Sequence, residues 1–337
     1  MKKGRFVGWL WGFGVVLAAG ACRRENLTMP MIPARPPRFE IRYPLNYPAN
    51  LVGDGTILSI EGALEGAVPV QRPEDVVDRF ELIIDGRRVG IFAPSQVVDE
   101  AFCTELGLVG CKGWPLLIDV REFGAPGRGK RLVLRAWKGS LMTEVALEFH
   151  YDNADLQQKA LEFIRTRMVG TNPEKWNPEY RTHRMSDVTI YYKNEIPYYR
   201  DLIRRTLEDF VSKWTGLRFI ETDREDVRPL IIYPHNGICC GATPKGENPA
   251  NPYEITLALL SVDKGRLPPK LQLDDLAIIA HETGHAIGLP HTECVNGDHD
   301  FMADRCPYSK ASGLHLHPYQ QMAVKMVYSK PPGYSWR

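Results

Sequence analysis

What this chain lacks narrows the reading first. It has no excess of charge of either sign: 42 Lys and Arg stand against 41 Asp and Glu, for a net charge of +1. A chain so balanced carries no overall electrostatic footprint for nucleic acid or an anionic surface, so partners have to be argued from sites. It also lacks a long apolar run, because the N-terminal stretch Phe6 to Ala19 is short for a membrane-spanning helix. Cysteine is scarce, at 7 in 337 residues. The remainder is ordinary for a globular protein: 44% of residues are hydrophobic and 25% are charged. That composition supplies sizeable cores, and the length leaves room for two domains.

Lys2, Lys3 and Arg5 precede the apolar run, and the run closes in Ala19-Gly20-Ala21-Cys22. A basic start, a short apolar core and small residues before a boundary make a secretory signal over residues 1–21. The cysteine directly after the small residues resembles a bacterial lipobox, which implies lipidation of Cys22 and attachment to the cell envelope by acyl chains, outside the cytoplasm. Residues 22–50 are punctuated by Pro30, Pro33, Pro36, Pro37, Pro44 and Pro48, and are expected to form an extended tether without a core.

From residue 51 to 152 the signals are strands. TILSIEG, FELIID, RRVGIF, PLLIDVRE, RLVLRAW and TEVALEFHY are short β-rich runs separated by turn residues. Val145, Leu147 and Phe149 alternate with Glu144, Ala146 and Glu148, the period of a half-buried strand. Asp85-Gly86 between two runs is a type I′ hairpin signal. Together they predict a β-sandwich of immunoglobulin-like type, with no catalytic cluster in it.

The chemistry concentrates in HETGHAIGLPH, His281 to His291. His281 and His285 are four apart, so a helix sets them one above the other on one face. Leu276, Ile279, Ala280 and Ile287 fall on the other side, which can face a core. Gly288 can take the left-handed conformation that ends a helix, and Pro290 stiffens the exit. His291 can then swing back to the same point. Three neutral imidazoles with an open fourth position describe a catalytic zinc site. Glu282, beside them, is placed to take a proton from a water at the open position.

The pattern HExxHxxGxxH resembles the metzincin clan of zinc metallopeptidases, with matrixins and astacins among its families. The resemblance implies that Met302, in DFMADRCPYS, supports the histidines from beneath as a methionine turn without being a ligand. Thr292 matches none of the family-specific residues that follow the third histidine and is nearest in character to the Ser of matrixins. Asp304 stands where a tyrosine fifth ligand would be. The order of predicted elements agrees with the clan: a helix from Asp155 to Met168, strand DVTIYY, a long helix from Pro197 to Trp214 closed by Gly216, strands LRFIET, RPLIIYP and YEITLALL, the zinc helix, and a terminal helix from Pro318 to Tyr328. The fold class expected is therefore α+β over 153–337, a metzincin-like catalytic domain with a mixed twisted sheet, behind the β-sandwich. In that clan an edge strand pairs antiparallel with the substrate, and the order of elements places it in ICCGAT. The ligands, base and methionine turn all follow residue 153, so that half is expected to work without the β domain.

Six cysteines remain after Cys22, enough for three disulfides outside the cytoplasm. Cys103 and Cys111 lie in one loop and form a candidate local pair; Cys294 and Cys306 bracket the methionine turn; Cys239 and Cys240 are adjacent and leave other pairings open. His150, His183, His235, His299, His315 and His317 are expected at the surface or in loops, with His299, Asp298 and Asp300 a weak second-metal cluster set against a solvated turn. The function expected is an extracytoplasmic zinc endopeptidase, taking protein or peptide substrates, tied to a membrane by lipid and not to nucleic acid. The alternative is a surface adhesion or binding lipoprotein in which the β domain carries the main role.

Overall fold

The computed structural model describes residues 36–43, 50–65, 73–94, 116–168, 187–192, 197–224, 230–234, 241–242, 254–257, 273–292, 300–303, 315–330, 334 and 336. The signal segment, the disulfide candidates Cys103, Cys111, Cys294 and Cys306, and Cys22, Cys239, Cys240, Asp298, His299 and Asp304 lie outside them.

The first half builds two sheets around one core. Strands β1 (Arg38–Tyr43), β3 (Ile57–Glu65) and β6 (Leu116–Asp119) form an antiparallel sheet in the order β1-β3-β6. Strands β2 (Leu51–Val52), β4 (Arg79–Ile84), β5 (Arg87–Phe92), β7 (Gly127–Lys138) and β8 (Leu141–Tyr151) form the other, ordered β2-β8-β7-β4-β5. Side chains from both sheets, Phe39, Leu58 and Ile118 from the first and Phe80, Leu132 and Phe149 from the second, enter a single buried cluster. Phe39 meets Phe80 edge-on across the gap, with ring centroids 5.3 Å apart. The β4–β5 hairpin turns at Asp85 and Gly86, both at positive φ (46° and 79°), the geometry a type I′ turn requires.

Two sequence expectations are corrected here. Residues 38–43, assigned to the proline-rich tether, pair with β3, and Phe39 and Ile41 are buried. Their alternation is a strand signal that the flanking prolines obscured. The run PLLIDVRE is also not one strand. It stops at Asp119, whose Oδ1 accepts from Arg121 N at 2.9 Å and caps a tight turn over Val120–Phe123.

The second half is organised by a five-stranded sheet ordered β10-β9-β11-β13-β12, made of β9 (Asp187–Tyr192), β10 (Arg218–Glu221), β11 (Leu230–Pro234), β12 (Gly241–Ala242) and β13 (Glu254–Leu257). Its pairings are parallel except that of β12, which runs antiparallel to β13 at the edge. Parallel neighbours need a crossover, and between β9 and β10 it is the long helix α2, Pro197–Thr206 continuing through a wide turn at Leu207–Val211 into Ser212–Thr215. Ile203, Leu207, Phe210 and Trp214 are its buried stripe, and Gly216 (φ 74°) ends it. Helix α1 (Asn153–Phe163) precedes the sheet, with Asp152 accepting from Ala154 N and Asp155 N as its cap. Helices α3 (Leu273–Ala286) and α4 (Pro318–Tyr328) complete this half around a second buried cluster.

The two halves keep separate cores yet share one compact unit, Pro36–Arg337. Helix α4 makes the joint. Gln321 Oε1 accepts from Ile57 N (2.9 Å), while its Nε2 donates to Ile57 O (2.7 Å) and Leu316 O (2.8 Å). Lys325 Nζ donates to Gly55 O, and burial pushes this ammonium below its ordinary pKa. Ile57 and Leu117, from the sandwich strands, pack against the second core. No described helix is long and apolar enough to cross a membrane.

Candidate metal centre

Helix α3 presents its two histidines as the four-residue spacing requires, with Ile279, Ala280 and Ile287 fully buried on its core side. The helix ends where glycine permits it. Gly288 has φ 99°, its N–H donates to His285 O (3.0 Å), and Leu289 N closes back onto Gly284 O (2.8 Å). The chain reverses there and brings His291 over the helix. The three Nε2 atoms stand 3.1 Å (His281–His285), 3.0 Å (His285–His291) and 3.2 Å (His281–His291) apart.

The hydrogen bonds on the far sides of the rings identify what those nitrogens are. His281 Nδ1 lies 2.6 Å from Phe301 O, and His285 Nδ1 lies 2.8 Å from Leu289 O. A carbonyl oxygen only accepts, so each Nδ1 carries a proton, and in the neutral imidazole each Nε2 then presents a lone pair. Lone pairs at such separations repel, and a cation among them turns that repulsion into attraction. Tetrahedral zinc–nitrogen bonds of about 2.0–2.1 Å set ligand nitrogens about 3.3 Å apart, close to what the triad offers. The residues present therefore fit a zinc ion. Glu282 is buried beside them, 5% exposed.

A turn over Asp300–Ala303, closed by Ala303 N donating to Asp300 O (3.1 Å), lies under the triad. Its Phe301 carbonyl is the acceptor for His281, and the Phe301 ring stacks on Trp214 of α2 with centroids 5.3 Å apart. Met302 is fully buried against α3, at Gly284. A Cβ built on Gly284 collides with Met302 Sδ and comes within 3.0 Å of Phe301 Cε2. Thr292, next after His291, is tied to the same turn: its N–H donates to Met302 O (2.9 Å) and its Oγ1 to Asp300 Oδ1 (2.7 Å). From the other side Arg167 Nη2 donates to His291 O at 3.1 Å.

Sequence reasoning missed Gly284 and Arg167, and placed Asp300 only in a second-metal cluster or a solvated turn. A glycine inside an amphipathic helix was an available signal, since it gives up about 1 kcal/mol relative to Ala unless close packing requires it. Asp300 is not part of a solvated turn, as it is 1% exposed and its carboxyl group points inward. His315 and His317 lie in the loop that leads into α4, as expected, but are buried there, at 2% and 6% exposure. His150, Asp152 and Asp155 form a second close group. There Asp152 caps α1, and a helix N-terminus favours the carboxylates and opposes a cation.

Gly284→Ala carries a diagnostic sign. Helix propensity alone predicts a gain of about 1 kcal/mol. The collision with Met302 is expected to reverse this into a loss of about 1–3 kcal/mol, because a packed core does not absorb an added methyl. Denaturant unfolding of the metal-free chain measures it. Pairing the change with Met302→Ala should recover part of the loss, and a stabilised single variant would mean that the sulfur moves aside freely.

No family model matches this chain, and no curated protein matches it. Among solved structures, the apo structure of Bacteroides uniformis beta-glucuronidase 3 is similar over 34% of this chain and 11% of its own, at 13% identity and a TM-score of 0.21. The endo-beta-1,4-mannanase from Thermotoga petrophila is similar over 35% of this chain and 20% of its own, at 6% identity and a TM-score of 0.23. Both are short, distant likenesses that span a small part of those enzymes.

Proposed function

We propose that this protein is a zinc-dependent endopeptidase of metzincin type, acting outside the cytoplasm from a lipid anchor at Cys22. The observation that carries the reading is the convergence of His281, His285 and His291 through Nε2, with two of the tautomers set by backbone carbonyls. His281, His285 and His291 would hold the ion. Bound there, zinc supplies Lewis acidity, lowering the pKa of a water and polarising a carbonyl oxygen.

The remaining work falls to the chain. Glu282 takes the proton from the attacking water and passes it to the leaving amine. The Phe301 and Leu289 carbonyls keep two imidazoles in the tautomer that leaves Nε2 free. Strand β12, at Gly241–Ala242, has a single sheet neighbour among the described residues, β13, and its other edge can pair with an extended substrate. The order β9, α2, β10, β11, β12, β13, α3, turn, α4 supports the reading as well, since strand, long helix, further strands, zinc helix, turn and terminal helix is the order that the resemblance implies.

Zinc content after dialysis and cleavage of casein test it on the same preparations. The wild-type chain is expected to retain one zinc and to cleave, whereas His285→Ala loses one of three protein ligands and with it the metal. Wild-type protein that comes through dialysis without zinc, or holds zinc and cleaves no unstructured protein, sinks the reading.

A further inference from the structure

The three imidazoles are not held alike. His281 and His285 ride on a helix and are each fixed at Nδ1 by a backbone carbonyl. His291 follows the helix break, is exposed, and belongs to no regular element. Its place depends on what holds its neighbours. Thr292, one residue on, is pinned twice to the Asp300–Ala303 turn, by its N–H to Met302 O and by its hydroxyl to Asp300 Oδ1. The same Oδ1 accepts from Met302 N at 2.8 Å, which sets the conformation of the turn itself. Within that turn lies the Phe301 carbonyl that fixes His281. On the far side of the carboxyl group, His317 Nε2 stands 3.4 Å from Oδ2, at the start of α4.

We propose that Asp300 is the positioning residue of the metal centre: one buried oxygen, Oδ1, joins Thr292 to the turn and so places both His291 and the acceptor of His281. The inference rests on the metal reading above, and it assigns Asp300 no contact with substrate or metal. Two ligands thereby depend on one carboxyl group that lies outside the HETGHAIGLPH stretch. The geometry makes Oδ1 the essential atom, since both donors converge on it, from Thr292 Oγ1 and Met302 N. An amide in the same place keeps an acceptor oxygen there; a methyl group does not. On the other partner, the hydroxyl of Thr292 is what matters, and a serine supplies it.

The test uses the full chain and zinc itself, with affinity measured by competition against a chelator. Cobalt(II) substitution adds a visible spectrum that reads ligand geometry, and thermal unfolding of the metal-free forms reads the fold. Asp300→Ala is expected to weaken zinc binding by about 10–100-fold, the range for removing an outer-shell partner, and to change the cobalt spectrum. Asp300→Asn keeps the acceptor at Oδ1 but sets its amide N–H against His317 Nε2, and is expected to bind zinc more tightly than Asp300→Ala. Thr292→Val should weaken zinc binding in a chain that still folds, at some cost in metal-free stability for the donor lost by the buried carboxylate, and Thr292→Ser should restore the affinity and the cobalt spectrum. Should Asp300→Ala fail to fold, the threonine pair decides the matter. Wild-type affinity and cobalt spectrum in Thr292→Val, or in a folded Asp300→Ala, overturn the proposal. If His285→Ala still loses zinc in that same series, the positioning role alone has failed; a wild-type chain that takes up no zinc removes both readings.

Discussion

Glu282→Gln is expected to keep its zinc and to lower peptide hydrolysis by about 10²-fold or more, the usual contribution of a general base. The substitution preserves size and polarity, so the buried site around it, 5% exposed, should tolerate it. Glu282 is not among the converging ligands, which are His281, His285 and His291. Its position lies about 100° round the helix from His281. Removing its carboxylate should therefore spare the metal and take away the proton acceptor. Two measurements on one preparation separate the effects, zinc content after dialysis and initial rates on casein. Retained zinc with wild-type turnover would show that another group serves as base. Lost zinc would mean instead that the carboxylate helps to hold the ion.

The second large effect concerns the joint between the halves. Expressed alone, the chain from Asn153 onward is expected not to reach a stable fold, contrary to the expectation from sequence that it works without the β domain. Three losses add up. The fragment begins after Asp152, whose side chain caps α1 through Ala154 N and Asp155 N; losing such a cap costs about 0.5–2 kcal/mol. Gln321, 1% exposed, loses both bonds to the Ile57 backbone and keeps the one to Leu316 O; each hydrogen bond exchanged for water costs about 0.5–1.5 kcal/mol. Apolar surface covered by Ile57 and Leu117 returns to water. Several kcal/mol is a large share of the roughly 5–15 kcal/mol that a domain commonly has. Circular dichroism on heating, with zinc uptake, measures the outcome. A fragment that melts cooperatively at the midpoint of the full chain and cleaves casein equally fast would reduce the sandwich to an appendage.

Parts of this architecture were legible because their causes are local. The helix over Pro318–Tyr328 starts at a proline and follows one apolar stripe. Asp85-Gly86 specifies its hairpin through two residues that accept positive φ. His281 and His285 share a face because the α-helix repeats every 3.6 residues, and Gly288 ends it by taking φ 99°. The candidate ligands, the base and the methionine could thus be named from one short stretch and its neighbour.

What surrounds them depended on contacts that leave no periodic trace. Arg38–Tyr43 reads as part of a proline-rich tether until β3 is beside it to pair with. Asp300 reads as one acid of a polar turn until the chain reversal after Gly288 brings Thr292 back onto its Oδ1. Gly284 is an ordinary helix weakness until Met302 is packed against it. Gln321 meets Ile57 across 264 residues of sequence, a separation at which no local propensity acts. By itself the sequence determined the candidate ligand set and the elements that carry it, because backbone geometry couples residues a few positions apart. Only the tertiary structure decided what holds the third histidine and what braces the terminal helix, because a buried polar atom takes whichever partner the completed fold sets within hydrogen-bonding reach.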